Sequence, residues 1–386
     1  MTKHFKRKLI AATIAMTTLN ANAAFEIYNK DGMTFSADAL VNIFYANSSV
    51  ERTDENGDLI TDRDQSRLRV GFLPNYVGLN FSKELDNNIK VGARASFWVT
   101  LNDTDLNRGA EGAGTRTGID SRQFYGTVSG DFGEVLVGKD FGLFNRANIF
   151  NDEILLGHGQ VSDTLGLVDG GNVAFGNIAT GYLYPFPKAQ IRYTTPVMSG
   201  FKLAVAIADP NKVAADSTED TPRFEAELTY DTTFDNGSLQ AWVNGLSQSS
   251  ETITGDDQDQ TGVGYGAKVK FSGFTFNASG FTAEGVGQVA GLDNIVTDED
   301  TEVDGFLLQT SYTVGANRFV IGYGENEIEV DNGPATEFSN LGFAWFRTIV
   351  PGVYIITEYN KTEVETENSL AGEETDTISI GAALTF

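Results

Sequence analysis

TISIGAALTF, Thr377 to Phe386, sets Ile378, Ile380, Ala382, Leu384 and Phe386 against Thr377, Ser379, Gly381, Ala383 and Thr385. The period is two residues, so in an extended chain one face is greasy and the other small or polar. Chain termini usually fray, whereas here strand patterning runs on to an apolar aromatic at Phe386.

The same pattern recurs upstream. Phe35, Ala37, Ala39, Val41 and Ile43 alternate with Ser36, Asp38, Leu40 and Asn42, and Ile89, Val91, Ala93, Ala95, Phe97, Val99 and Leu101 with Lys90, Gly92, Arg94, Ser96, Trp98 and Thr100. The second run is long enough to cross a bilayer as a tilted strand, which takes ~9 to 11 residues. Further runs, from Phe201 to Ala208 through Val353 to Tyr359, bring the total to about sixteen, an even number as in bacterial outer-membrane barrels. Their connectors alternate in length. Short turns such as Asp86-Asn87-Asn88, Ser272-Gly273 and Gly315-Ala316-Asn317 come between long acidic loops such as DPNKVAADSTEDTP and EVETENSLAGEETD. A transmembrane barrel needs that rhythm, and a sandwich does not.

Composition narrows the choice. MTKHFKRKLIAATIAMTTLNANA places Lys3, Lys6, Arg7 and Lys8 before a short apolar run and an A-x-A site, the layout of a cleaved secretory signal over residues 1–23. Its removal takes the formal charge from −26 to −30, since four basic and no acidic residues leave with it. So acidic a chain does not bind nucleic acid through its bulk field. Without cysteine there is no disulfide, thiolate nucleophile or zinc-thiolate site, and His158 is the only mature histidine. Catalytic triads and His-metal clusters are nearly excluded, and no enzyme activity or cofactor is expected.

After the signal no apolar run approaches the ~20 residues of a spanning helix. Hydrocarbon leaves backbone amides unsatisfied, so a spanning sheet must curl until its first strand pairs with its last. The expected fold for residues 24–386 is therefore an all-β, antiparallel, up-and-down transmembrane barrel in the outer membrane. Its seam joins Thr377–Phe386 to the strand around Phe35 to Ile43, with the even-numbered residues of the last strand outward. Aromatics including Tyr45, Trp98, Tyr230, Trp345, Tyr359 and Phe386 are candidates for interfacial girdles. One connector, 140–187, is far longer than the ~12 to 15 residues at which an unstructured loop becomes unusual. It is rich in Gly and Phe, a composition suited to packing against something.

AFEIYNKDG (Ala24 to Gly32), FYGTVSGDFGEVLVGKDFG (Phe124 to Gly142), IRYTTPVMSGFKLAVA (Ile191 to Ala206) and the terminal phenylalanine resemble the trimeric general diffusion porins of Gram-negative outer membranes. The resemblance covers the mature chain in order. It implies a homotrimer in which the third long loop folds into the barrel and narrows it to an eyelet, with loop carboxylates facing basic side chains across the lumen. It also implies that the barrel assembly machinery reads the terminal aromatic strand at Phe386.

Strand parity carries this onto residues. If Ile89, Val91, Ala93 and Ala95 face lipid, Lys90 and Arg94 point inward; likewise Lys188 and Arg192 beside Ala189, Ile191 and Tyr193, and Arg67 and Arg69 beside Leu68, Val70 and Phe72. The apolar parity flips around Pro74, which predicts a bulge. Strict alternation from Val135 and Val137 puts Lys139 on the lipid face, where lysine costs ~2 to 4 kcal/mol at the midplane. A bend at Gly138 would turn it inward, and the family's basic residue after this glycine lines the eyelet, so Lys139 is read as pore-lining. On the loop, Asp152, Glu153 and Asp163 are the candidate acids, with Asp169 further along; the family's Pro-Glu-Phe-Gly-Gly is replaced by EILLGHGQ.

The implied function is passive diffusion of small hydrophilic solutes and ions through a water-filled channel. The alternative is a substrate-selective channel of the same fold, for an oligosaccharide or an anion, kept open by Trp98 and the aromatics of YLYPFP, Tyr182 to Pro187. The bland reading of the basic wall is arginines paired with neighbouring acids to keep a polar interior folded. His158, in LGHGQ, reads as a loop hydrogen-bonding residue. GVGYGAKVK lies within an alternating strand and lacks phosphate-loop spacing. The acidic loops complete no EF-hand and read as a solvated face, or as holding diffuse divalent ions that bridge to lipopolysaccharide.

Overall fold

The computed structural model describes residues 25–101, 119–169, 173–212, 217–251, 257–287, 301–330 and 333–386. The predicted signal, 1–23, lies outside the described residues. The chain forms one antiparallel sheet of 18 hydrogen-bonded segments. These are β1 (Phe25–Lys30), β2 (Met33–Thr53), β3 (Leu59–Arg69), β4 (Asn75–Glu84), β5 (Lys90–Val99), β6 (Ile119–Gly130), β7 (Gly133–Phe141), β8 (Pro187–Thr194) and β9 (Phe201–Ala208). Then come β10 (Arg223–Phe234), β11 (Gly237–Glu251), β12 (Asp257–Phe271), β13 (Phe274–Glu284), β14 (Thr301–Val314), β15 (Asn317–Val330), β16 (Thr336–Val350), β17 (Val353–Thr366) and β18 (Gly372–Thr385).

Two pairs of segments share a position, which makes a closed 16-strand barrel. On one edge of β2, β18 pairs with Leu40 to Thr53 and β1 with Met33 to Ala37. Phe386 closes the gap between them, its N–H donating to Ala39 O at 3.0 Å and its carbonyl accepting from Ala39 N–H at 3.3 Å. On the other edge, β3 pairs with the upper half of β2 and β4 with the lower. This second break, at residues 70–74, is the bulge predicted around Pro74. Asn42 spans it: its Oδ1 accepts from Gly71 N–H at 2.8 Å, its Nδ2 donates to Leu73 O at 2.8 Å, and its own N–H donates to Asn75 Oδ1 at 2.5 Å. Backbone groups that would be orphaned by the break are thus satisfied.

Alternation holds around the ring because lipid and interior make opposite demands. In β18, Ile378 and Ile380 are exposed outward while Thr377, Ser379 and Ala383 are buried inward. On β14 the outward run from Phe306 to Val314 rises ~3.3 Å per residue; at a tilt of ~40° it gives a band roughly 20 Å tall, close to the ~25 Å expected. Trp98, listed above with the girdle aromatics, is instead inside, stacked on Tyr76 at 4.6 Å. Above the apolar band the outward positions become acidic. Asp304, Glu327, Glu337 and Glu365 stand in register across β14 to β17, and Glu363, Glu374, Glu51 and Asp62 across β17, β18, β2 and β3.

Candidate functional site

The described residues of the long connector, 142–169 and 173–186, lie within the barrel and contribute a large share of its core. Phe144, Ile149, Leu155, Ile178, Tyr182 and Leu183 pack with wall residues such as Phe281, Leu307 and Phe338. Its first turn is a short helix, α1 (Arg146–Phe150). Hydrogen bonds then trace the loop along the wall strand by strand. Leu143 N–H donates to Glu225 on β10, Asn145 N–H to Asn244 on β11 at 2.9 Å, and Lys268 on β12 donates to Asn151 O at 3.0 Å. On β14, Gln309 donates to Asp152 at 2.7 Å. On β17, Glu358 accepts from the backbone N–H groups of both His158 and Gly159, and on β18 Glu373 accepts from those of Asp163 and Thr164.

At the break between β3 and β4 the loop backbone joins the sheet's own hydrogen bonding. Phe72 N–H donates to Gly157 O at 3.0 Å. A Cβ on Gly71 would stand 2.3 Å from that same oxygen, so only glycine permits the approach.

The loop acids are each placed, but against the wall. Glu153 is 7 % exposed and is held by Lys268, by Ser311 at 2.7 Å and by Arg318 at 3.1 Å. Arg318 in turn lies over the ring of Phe346 at 4.0 Å. Asp152 takes neutral donors, Tyr182, Asn177, Gln309 and Ile154 N–H. Burial pushes its carboxyl upward despite these donors. Asp163 pairs with Arg63 and with Arg52, and Asp169 with Arg63 and Arg67.

Of the predicted basic residues, Arg67, Arg69, Arg94 and Arg192 point inward, and they divide into two groups. Arg67 and Arg69 belong to the loop's anchorage: Arg67 lies 3.7 Å from Asp169, and Arg69, fully buried, donates to Leu167 O. Arg94 and Arg192, on β5 and β8, pair with carboxylates of the wall itself. Arg94 pairs with Asp38 at 2.7 Å and donates to Asn80 and Gln123, and Arg192 pairs with Asp140 at 2.9 Å.

Lys139 is corrected. It stands in register with Phe124 and Ala189, both on the outward face, while Asp140 next to it is buried inward. Gly138 does adopt a positive φ of 129°, but the ladder through it keeps its register, so the alternation is not reset. Lys139 therefore shares the face of Val137 and does not line the interior.

Sequence reasoning missed Arg52, Arg63, Arg146, Lys268 and Arg318 and the wall carboxylates Glu225, Glu227, Glu358 and Glu373. Apart from Arg146, their inward parity was readable on their strands; what each one meets was not. Arg146, on α1, pairs with Glu227. His158 is buried, its Nδ1 within 2.8 Å of Gly159 O and its ring edge-on to Phe44, the hydrogen-bonding loop residue expected.

A family model described as Gram-negative porin matches residues 11–367. No curated protein matches the sequence. Among solved structures, the chain is similar to the outer membrane channel DcaP of Acinetobacter baumannii, with 16% identity, a TM-score of 0.67 and coverage of 94% of this chain and 100% of that one. It is similar to the anion-selective porin from Comamonas acidovorans, with 16% identity, a TM-score of 0.65 and coverage of 92% and 100%. It is also similar to OmpT of Vibrio cholerae in its trimer form, with 14% identity, a TM-score of 0.52 and coverage of 90% and 100%.

Proposed function

Because this chain belongs to the Gram-negative porin family and is an outer-membrane channel, we propose that it conducts small hydrophilic solutes and ions by passive diffusion, with no chemical step. The observation that carries the reading is the asymmetry of the interior. The loop is bound to the wall mainly from β10 round to β3, with Arg122 to Tyr184 reaching it from β6, whereas among the described residues half-buried Asn80, Arg94, Tyr125 and Lys202 on the strands from β4 to β9 face inward and make no hydrogen bond to it. We place the water column there, with the described loop residues 142–169 and 173–186 as its constriction. Arg94, Arg192 and Arg146 then meet Asp38, Asp140 and Glu227 along its sides, and charges of both signs in a low-dielectric wall align polar solutes as they pass. An apolar solute gains nothing from such a field.

The loop acids Asp152, Glu153 and Asp163 fall in this reading to fixing the constriction, with Arg67 and Arg69, while Arg94 and Arg192 line the water. A homotrimer fits the exposed apolar outer face, and the acidic rows above it fit divalent ions bridging to lipopolysaccharide phosphates. Phe386, seated at the seam, is the residue we assign to recognition by the assembly machinery.

Purified protein in planar bilayers is expected to give ohmic conductance steps arriving in threes. Reversal potential in a salt gradient then reads the net sign of the lining. No conductance would overturn the channel reading; saturable block by one sugar would replace diffusion with substrate selection.

A further inference from the structure

The upper interior on the β4 to β8 side holds an arginine set between two aromatic faces. The Arg122 guanidinium lies 5.1 Å from the ring centre of Trp98 and 5.7 Å from that of Tyr184. Its Nη1 donates to Tyr184 Oη at 2.8 Å and its Nε to Asp120 at 2.9 Å. Tyr184 meets Phe186 edge to face at 5.2 Å, and Lys188 Nζ lies 6.0 Å over the Phe186 ring. Trp98 is fixed from behind by its stack on Tyr76 and by its indole N–H, which donates to Ser96 at 2.7 Å.

We propose that this cluster binds planar organic anions, aromatic carboxylates being the class it fits, at the entrance to the water column; the proposal rests on the channel reading above. Two chemical demands meet here. A carboxylate is best recognised by a guanidinium fork supported by a second cation, and the conjugated ring attached to it by an aromatic face. Arg122 supplies the first, with Lys188, buried and donating to Asn211, as the supporting charge, and the half-buried rings of Tyr184 and Phe186 supply the second.

Packing alone accounts for the cluster less well. Elsewhere interior arginines meet carboxylates or carbonyls of the loop, as Arg63 and Arg69 do, or carboxylates of the wall, as Arg94 and Arg192 do. Arg122 pairs with Asp120 and is also stacked on two rings, as Arg318 is on one, an arrangement that keeps its positive charge beside apolar surface. Sugar-stacking sites place acceptors as well as donors around the ring plane, and the polar groups beside Tyr184 and Phe186 are mainly cationic donors. Arg192 and Arg94, paired with Asp140 and Asp38, lie further along the same side of the interior.

The test is conductance of the full chain in planar bilayers, titrated with benzoate, with cyclohexanecarboxylate of the same charge but a puckered ring, and with neutral benzamide. Benzoate is expected to depress the current saturably, with half-saturation about tenfold below that of cyclohexanecarboxylate, and benzamide to show no saturation. Tyr184→Ala and Arg122→Gln should each raise the benzoate half-saturation by about tenfold. If the alanine variant does not assemble, Tyr184→Phe keeps the ring and loses the bond to Arg122, and the comparison of the three solutes on the unaltered protein decides by itself. Equal action of benzoate and cyclohexanecarboxylate, or no saturation by either while the protein conducts, overturns the site. A protein that does not conduct overturns the channel reading instead.

Discussion

Glu153 sits under two opposed influences. Burial raises its carboxyl, but Lys268 and Arg318 more than reverse this and bring it down to about 2. A group depressed on folding contributes its stability in full above its unfolded value, 4.5, and loses it as pH falls towards 2. His158 acts in the same direction over a higher window. Burial first, then the charge of Arg69, lowers its imidazole from 6.5 to about 3, so the unfolded chain takes up the proton first and stability falls as pH drops between those values. Urea unfolding midpoints measured against pH in detergent should therefore decline from about pH 6.5 downward. His158→Gln should flatten the decline above 4.5, make it shallower between 4.5 and about 3, and leave the share that Glu153 contributes below 4.5. A second residue test follows from orientation. Lys139→Leu should leave conductance and reversal potential unchanged, whereas Arg94→Gln should shift the reversal potential towards cation preference. A selectivity change in the first variant would put Lys139 back in the water.

At the scale of elements, the break between β3 and β4 couples barrel to loop. Gly71→Ala would drive a methyl against Gly157 O and the Phe44 ring, at 2.3 and 2.7 Å, and overpacking of that kind costs ~1 to 3 kcal/mol. Asn42→Ala would strip the partner from Gly71 N–H and from the groups on Leu73 and Asn75, at ~1 to 3 kcal/mol for a buried donor left unpaired. Both variants should unfold at lower urea and show noisier open-channel current, because each disturbs the contact that seats the loop. Normal noise in Gly71→Ala would mean that the loop is held without this contact. The break also marks how far the sequence could be read. Alternation in TISIGAALTF and its relatives was legible because the bilayer imposes a period of two on every strand, and the parity flip at Pro74 followed from the same rule. The loop's path was not legible, since it is set by contacts such as His158 to Glu358, 200 residues apart, and no local pattern encodes which wall carboxylate a loop amide will meet. Lys139 went wrong for a related reason: Gly138 suggested a bend and does take a positive φ, but the unbroken pairing on both sides, which fixes the face, is a property of three strands together.

For the whole molecule, the outward acidic rows set a problem that the fold alone does not solve. Like charges directly opposite in a sheet repel, and here Glu327, Glu337 and Glu365 are successive cross-strand neighbours. Strands lie ~4.8 Å apart, well inside the ~30 Å screening length of 0.01 M salt but beyond the ~3 Å of 1 M. Stability of the assembled barrel should therefore depend on cations. Thermal unfolding at low ionic strength is expected to shift downward on chelation with EDTA and to recover with either millimolar Mg²⁺ or ~1 M NaCl, since diffuse screening needs no particular ion. Recovery with Mg²⁺ alone would instead require a coordinated site. Glu337→Gln, which neutralises the middle member of the three, should raise the unfolding temperature in EDTA and shrink the gain from either salt. If that variant is no more stable than the unaltered chain, the rows are relieved by their own exposure to solvent, and the barrel has no need of bridging ions at its outer rim.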